Sequence, residues 1–203
     1  EEIFIRNHYE PSLKEIDDVY KIILKFLKKK KKIIYGGYAQ NSLILHKNKK
    51  DGFYKDTDLA DIEFYSYEPV KDLIDLTDLI HKDGYFNTIG KSGVHDGTYK
   101  IFSNFHAYCD ISYMPKNIYD RCPTMVVKDL VYTHPHFMLV DAFRIYTDII
   151  IFNWRLSKTF NRFTKLQSYY QFDENFKFEK INYESKINDL DKIQKFIRSD
   201  IIH

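Results

Sequence analysis

Asp61-Ile62-Glu63-Phe64-Tyr65-Ser66 is the stretch on which the fold turns. Carboxylates alternate with apolar residues over 61–64. A strand with that pattern carries Asp61 and Glu63 on one side and Ile62 and Phe64 on the other. Two carboxylates this close repel unless a cation lies between them, and Mg²⁺ takes oxygen ligands. A solvent-facing strand edge in an antiparallel sheet gives the same pattern.

Two segments on either side bear on that choice. Upstream, Ile33, Ile34 and Tyr35 form a short apolar strand stopped by Gly36-Gly37, and a helix follows from about Ala39 to His46. Glycines there let the backbone approach an anion, and a helix N-terminus offers N–H groups to phosphate. A tight turn is the plainer reading. Downstream, Asp110 interrupts the apolar run Tyr108-Cys109-Asp110-Ile111-Ser112-Tyr113-Met114. A carboxylate in such a strand needs a partner, either a backbone donor, an Arg, or a shared cation. If that strand lies beside the Asp61–Glu63 strand, the three carboxylates converge.

Further out, the spacing of Ile16, Val19, Tyr20, Ile23, Leu24 and Leu27 predicts a helix over 11–27, with Ser12 as N-cap and Glu15 completing a capping box. The run Lys28 to Lys32 ends it, where cations suit the helix dipole. Residues 47–58 read as a polar loop, 70–81 as a helix, and 85–89, 98–105 and 107–114 as strands. Gly90-Lys91-Ser92 reads as a hairpin loop. It lacks the earlier glycine of a P-loop, because Tyr85 stands there. Residues 115–123 read as irregular. His134-Pro135 fits a helix start with Pro at the first position, helices follow through about 151 and from 154 to 170, and a last helix is expected from about Asn188. The order predicts an α/β (α+β) fold: a mixed sheet flanked by helices over 1–125, then a helical region over 126–203 that begins a second domain.

Composition narrows the class. A hydrophobic fraction of 44% supports a packed core, and a net charge of +2 leaves nucleic-acid attraction to local patches. Lys31 and Lys32 are candidates for RNA contact, against the plainer reading of a solvated helix end. Arg155, Lys158, Arg162 and Lys165 recur at helical spacing as a basic face, either solvated or turned to triphosphate or RNA. His134 and His136 have metal-like spacing without supporting ligands. Two cysteines, Cys109 and Cys122, suit a reducing compartment better than a disulfide framework. No signal peptide opens the chain, and no apolar stretch is long enough to span a bilayer, so no membrane role is expected. Residues 192–203 read as an unfinished helix, so a longer native protein is expected.

The ordered set Tyr35-Gly36-Gly37, Asp61-Ile62-Glu63-Phe64 and Asp110 resembles the nucleotidyltransferase superfamily of DNA polymerase beta type, with a longer spacer than usual between its first two parts. Gly36-Gly37-Tyr38-Ala39-Gln40-Asn41-Ser42 and Lys55-Asp56-Thr57-Asp58-Leu59-Ala60-Asp61 are similar to the poly(A) polymerase catalytic subunits of large cytoplasmic DNA viruses, the mimivirus type above all. So are His134-Pro135 through Arg144 and Trp154-Arg155-Leu156-Ser157-Lys158-Thr159.

The resemblance implies template-independent addition of AMP from ATP to an RNA 3′ end. It implies Mg²⁺, or Mn²⁺ in its place, on Asp61, Glu63 and Asp110. Asp56 and Asp58 form a rival carboxylate pair in the preceding loop. Gly36, Gly37, Asn41 and Lys158 are the expected nucleotide-binding residues, and Lys31, Lys32, Arg155 and Arg162 the expected RNA-binding ones. The implied partners are ATP, the RNA 3′ end, and either a second copy of the chain or a viral partner subunit. The implied location is the host cytoplasm (viral factory) or the virion. Two other readings stay open: an oligoadenylate synthetase or tRNA-tailing enzyme, and a non-catalytic RNA-binding scaffold.

Overall fold

The computed structural model describes residues 11–54, 58, 60–147 and 149–171. Helix α1 spans Leu13–Lys30. Its capping box forms as the sequence predicts: the Ser12 side chain accepts the Glu15 N–H, and Glu15 reaches back to the Ser12 N–H. Ile16, Val19, Ile23, Phe26 and Leu27 form its buried stripe. Lys31 ends the helix in the left-handed conformation, with φ of 50°, and this reversal turns Lys32 inward.

Strand β1 (Ile33–Tyr35) leads directly into α2 (Gly36–Lys47), and β2 covers Ile62–Ser66. After α3 (Pro69–Lys82) come β3 (Thr88–Ser92), β4 (Thr98–Ser103) and β5 (His106–Tyr113). A four-residue α4 (Lys116–Tyr119) precedes the hairpin β6 (Thr124–Val127) and β7 (Leu130–Thr133). Then follow α5 (Pro135–Thr147), α6 (Ile149–Phe152), a 3₁₀ turn (Asn153–Arg155) and α7 (Leu156–Tyr169). The strands form a seven-stranded sheet in the order β3-β4-β5-β2-β1-β7-β6. It is mixed, as expected: β2 runs parallel to β5 and β1 parallel to β7, while the other pairs are antiparallel.

The expected boundary at 125 falls inside β6. The sheet runs on to Thr133, and the first unit of the chain reaches Gln171. Strand β3 begins three residues later than expected and takes in Gly90-Lys91-Ser92, so that run is strand rather than loop. A Cβ at Gly90 would come within 2.9 Å of the Leu73 and Thr77 side chains, so the glycine lets α3 lie close to the strand. The helix expected from Asn188 lies outside the described residues.

Alternation along β2 buries Ile62 and Phe64, and Phe64 meets Phe26 of α1. Cys109 and Ile111 of β5 join the same core. Glu63, Tyr65, Asp110 and Ser112 are left on the opposite face. Both cysteines are free thiols. Among the described residues, no helix is long and apolar enough to cross a membrane.

Candidate active site

The two halves of the carboxylate set meet by register. Glu63 of β2 lies directly beside Asp110 of β5, and Tyr35 pairs with Glu63 from the other side. Glu63 therefore sits mid-sheet, between the end of β1 and Asp110. Its carboxylate accepts the N–H of Gly37 at 2.9 Å. Gly36 has φ of +70°, and a Cβ there would collide with the Glu63 carboxylate. Glycine is required at 36 by both conformation and space. The Gly pair forms the first turn of α2, and the Gly37 N–H serves Glu63 rather than standing open to phosphate.

Burial pushes the Glu63 carboxyl up to about 7, and the charges of Asp110 and Asp61 add to this while the Gly37 N–H works against it. Enclosure in the cleft and the charge of Asp110 raise Asp61 as well, with Lys100, His106 and Lys158 opposing. Asp110 is held by Lys100, whose ammonium lies 2.7 and 2.5 Å from its two oxygens. Among the described residues, no three His, Cys, Asp or Glu side chains converge on one point as metal ligands do. Glu63 is turned to Gly37, and Asp110 to Lys100. Asp58 is exposed, and Asp56 lies outside the described residues.

A cleft of about 400 Å³ opens over Asp61 and Glu63, lined also by Gly36, Gly37, Tyr65 and Asp141. Its opposite wall is α7 with the preceding turn, which present Arg155, Lys158 and Arg162. The basic face seen in the sequence thus lines the same cleft as the carboxylates, with Arg155 and Lys158 also exposed to water and Arg162 half-buried. Lys158 is lowered by Arg162, by burial and by Arg155, with Glu63 and Asp61 pulling the other way. Lys165 lies apart, 3.5 Å from Asp51. Helix α7 is fixed at its far end: Tyr170 donates to the Leu43 carbonyl at 2.9 Å, and Tyr169 donates to Asp51 and accepts from Asn48.

Two expected binding residues are placed otherwise. Lys32 is 6% exposed and ion-paired with buried Asp72 beside Ser66, so it stabilises the junction of β1 with β2 and α3 and is not available to RNA. Asn41 uses its side-chain carbonyl to accept the backbone N–H groups of Phe53, at 2.8 Å, and Tyr54, at 3.4 Å. Lys31 is exposed at the end of α1. Elsewhere in the lysine run, Lys28 pairs with Asp129 at 2.6 Å and Lys30 with Asp75 at 3.2 Å. His134 accepts the His136 N–H at 3.2 Å, as a helix start rather than a metal site.

Sequence reasoning did not find Tyr54, Tyr65 or Asp141 in the cleft. Tyr65 stacks on Tyr35 with centroids 3.9 Å apart and reaches Asp141 at 3.5 Å. The alternation that exposed Glu63 also placed Tyr65 on its face, which was the available signal. Asp141 and Tyr54 gave none.

The family model described as poly(A) polymerase catalytic subunit matches residues 21–150. A protein of Acanthamoeba polyphaga mimivirus assigned as a poly(A) polymerase catalytic subunit is 36% identical over 166 residues, covering 81% of this chain and 28% of that protein. One of African swine fever virus with the same assignment is 32% identical over 128 residues, covering 63% of this chain and 26% of that protein. The crystal structure of the Megavirus polyadenylate synthase superposes with a TM-score of 0.79 at 37% identity, covering 86% of this chain and 35% of that one. This chain therefore spans little more than a quarter of the length of the curated relatives. The match extends from α1 through β7 and α5, over the sheet and the carboxylate strands, and the chain belongs to the poly(A) polymerase catalytic subunit family.

Proposed function

We propose that this chain adds AMP units from ATP to RNA 3′ ends without a template. The observation that carries the reading is one cleft with Asp61 and Glu63 on one wall and Arg155, Lys158 and Arg162 on the other. Carboxylates suit hard divalent cations, and guanidinium and ammonium groups suit a triphosphate. The donor set fits Mg²⁺, with Mn²⁺ as the alternative. It consists of oxygen ligands, and burial, with mutual repulsion added, already disfavours the ionised forms of Asp61 and Glu63 without a cation.

Asp61 and Glu63 would hold the metal ions, and Asp110 would complete the set. Metal ions held there would supply activation of the 3′-hydroxyl and neutralisation of the pyrophosphate leaving group. Glu63 would exchange the Gly37 N–H for that role, and Asp110 would exchange Lys100. Asp110 then faces the attacking hydroxyl, while Lys158 and Arg162 hold the triphosphate. Arg155 shares their wall, so it is assigned to the phosphates rather than to distant RNA. Lys31, exposed at the end of α1, is kept as an RNA-backbone contact. The reaction belongs to a viral factory in the host cytoplasm or to the virion.

The test is primer extension with an RNA 3′ end, Mg²⁺ and each nucleoside triphosphate in turn. A long tail made from ATP alone is expected. Asp61→Ala with Glu63→Ala should abolish it and leave the fold intact, and tailing that survives both changes defeats the assignment. Addition of only one or a few nucleotides would favour a tRNA-tailing or oligoadenylate-forming enzyme. RNA binding without any addition would favour a scaffold.

A further inference from the structure

We propose that Asn41 is a positioning residue, which fixes the Phe53–Tyr54 turn so that the two rings hold the Arg162 guanidinium over Gly37 for the nucleotide's triphosphate. This rests on the reading of the cleft given above.

Asn41 lies one turn beyond Gly37 in α2, and its Oδ1 accepts two consecutive backbone N–H groups at 53 and 54. Gly52 permits the approach: a Cβ there would come within 2.9 Å of Leu45 and 3.1 Å of Asn41 Oδ1. The turn so anchored presents two aromatic rings, with Phe53 and Tyr54 centroids 4.8 Å apart. The Arg162 guanidinium carbon lies 4.5 Å from the Phe53 ring centre and 5.0 Å from that of Tyr54. A planar guanidinium stacks well on aromatic faces. Arg162 Nη1 then stands 2.6 Å from where a Gly37 Cβ would be, and the Tyr54 hydroxyl crowds the same point.

Neutral rings hold the cation without cancelling its charge, so Arg162 keeps it for an anion at the start of α2. An arginine side chain carries about 2 kcal/mol of rotamer entropy, and fixing it beforehand removes that cost from binding. Asn41 sets this arrangement through the turn, without touching the phosphate.

The experiment measures ATP affinity by titration in Mg²⁺ for Asn41→Ala, Asn41→Asp, Arg162→Ala and the Asn41→Ala/Arg162→Ala double variant. KM and kcat for tailing and a melting curve are recorded for each. Arg162→Ala should weaken ATP roughly 10- to 100-fold, and Asn41→Ala roughly 3- to 10-fold with KM rising far more than kcat falls. The double variant should be no weaker than Arg162→Ala alone, because both changes act on one group. Asn41→Asp keeps the acceptor for both N–H groups and should bind ATP better than Asn41→Ala. An Asn41 that donated directly to phosphate would give the reverse order, since a carboxylate repels the triphosphate.

Two outcomes overturn the role of Asn41 alone while Arg162→Ala still weakens ATP: full additivity in the double variant, or Asn41→Asp weaker than Asn41→Ala. ATP affinity unmoved by Arg162→Ala overturns the phosphate reading of this wall together with the role.

Discussion

The Glu63 carboxylate and the Gly37 amide are joined at 2.9 Å, over a glycine at 36 that has φ of +70° and no room for a Cβ. The carboxylate proposed as a metal ligand and the first turn of α2 are thereby one unit. Gly36→Ala should be more damaging than a glycine replacement that meets strain alone. Gly84 supplies the comparison, since it has φ of +106° and open space around it. Gly84→Ala should cost about 1–2 kcal/mol from the backbone conformation. Gly36→Ala should cost more, because it also displaces the half-buried Glu63 carboxylate. Urea unfolding of the two variants checks this, and equal losses would mean that the Glu63 contact carries no weight.

The raised Glu63 carboxyl gives a pH dependence of defined sign. Its folded value of about 7 lies above the usual carboxylate value of 4.5. Its contribution to stability is therefore fully present below pH of about 4.5 and is lost as pH rises through about 7. Without divalent metal, the melting temperature should fall between about pH 5 and pH 8, and Glu63→Gln should flatten that fall. Mg²⁺ should raise the melting temperature more at pH 8 than at pH 5, because it binds the ionised form. A metal effect that is the same at both values, or unchanged by Glu63→Gln, would remove Glu63 from the ligand set.

Lys32 is the buried member of a run of five lysines whose other members are exposed. Its partner Asp72 is also buried, and Ser66 completes the cluster. Lys32→Ala leaves that carboxylate without its cation and should destabilise by about 3–5 kcal/mol. Exposed Lys29→Ala should change stability by less than about 0.5 kcal/mol. Chemical denaturation distinguishes them. Near-equal small losses would show that Asp72 finds another partner.

What the sequence made legible follows from how local each signal is. The Ser12–Glu15 cap and the Asp61/Glu63 alternation span a few residues, so the structure reproduces them. The β6–β7 hairpin escaped notice because its turn uses Lys128 and Asp129 at φ of 51° and 65°, where Asn-Gly is the usual signal. Without that signal the pattern of strands stops short of the sheet's true end at Thr133. Lys32 looked like its neighbours because nothing in a lysine run marks the residue at which Lys31 reverses the chain. Asn41 follows Gly36-Gly37 in the sequence, a position that suggests phosphate, yet its partners lie 12 and 13 residues ahead in the chain. Proximity in sequence to a motif is not proximity to its ligand. The wall formed by Arg155, Lys158 and Arg162 was visible as a helical face, but only tertiary packing could say what it faced.

Tyr20 connects α1 to the carboxylates and gives a last prediction. Its hydroxyl donates to the Ala60 carbonyl at 2.7 Å, one residue before Asp61, while its ring meets Tyr108 edge-on at 5.6 Å. Tyr20→Phe keeps the ring contact and removes only the hydroxyl. Stability should fall by about 1 kcal/mol, the usual worth of such a bond. The start of β2 loses its tether, so Asp61 is held less firmly and Mn²⁺ binding should weaken about 10-fold or more, as when other supporting partners of metal ligands are removed. Titration with Mn²⁺ alone, followed by its paramagnetic signal, reads this without any turnover. Tyr20→Ala should lose more stability through the lost ring, yet weaken Mn²⁺ to a similar degree. Mn²⁺ affinity that tracked stability across the two variants would reduce Tyr20 to packing; affinity that tracked the hydroxyl would tie α1 to the carboxylate site.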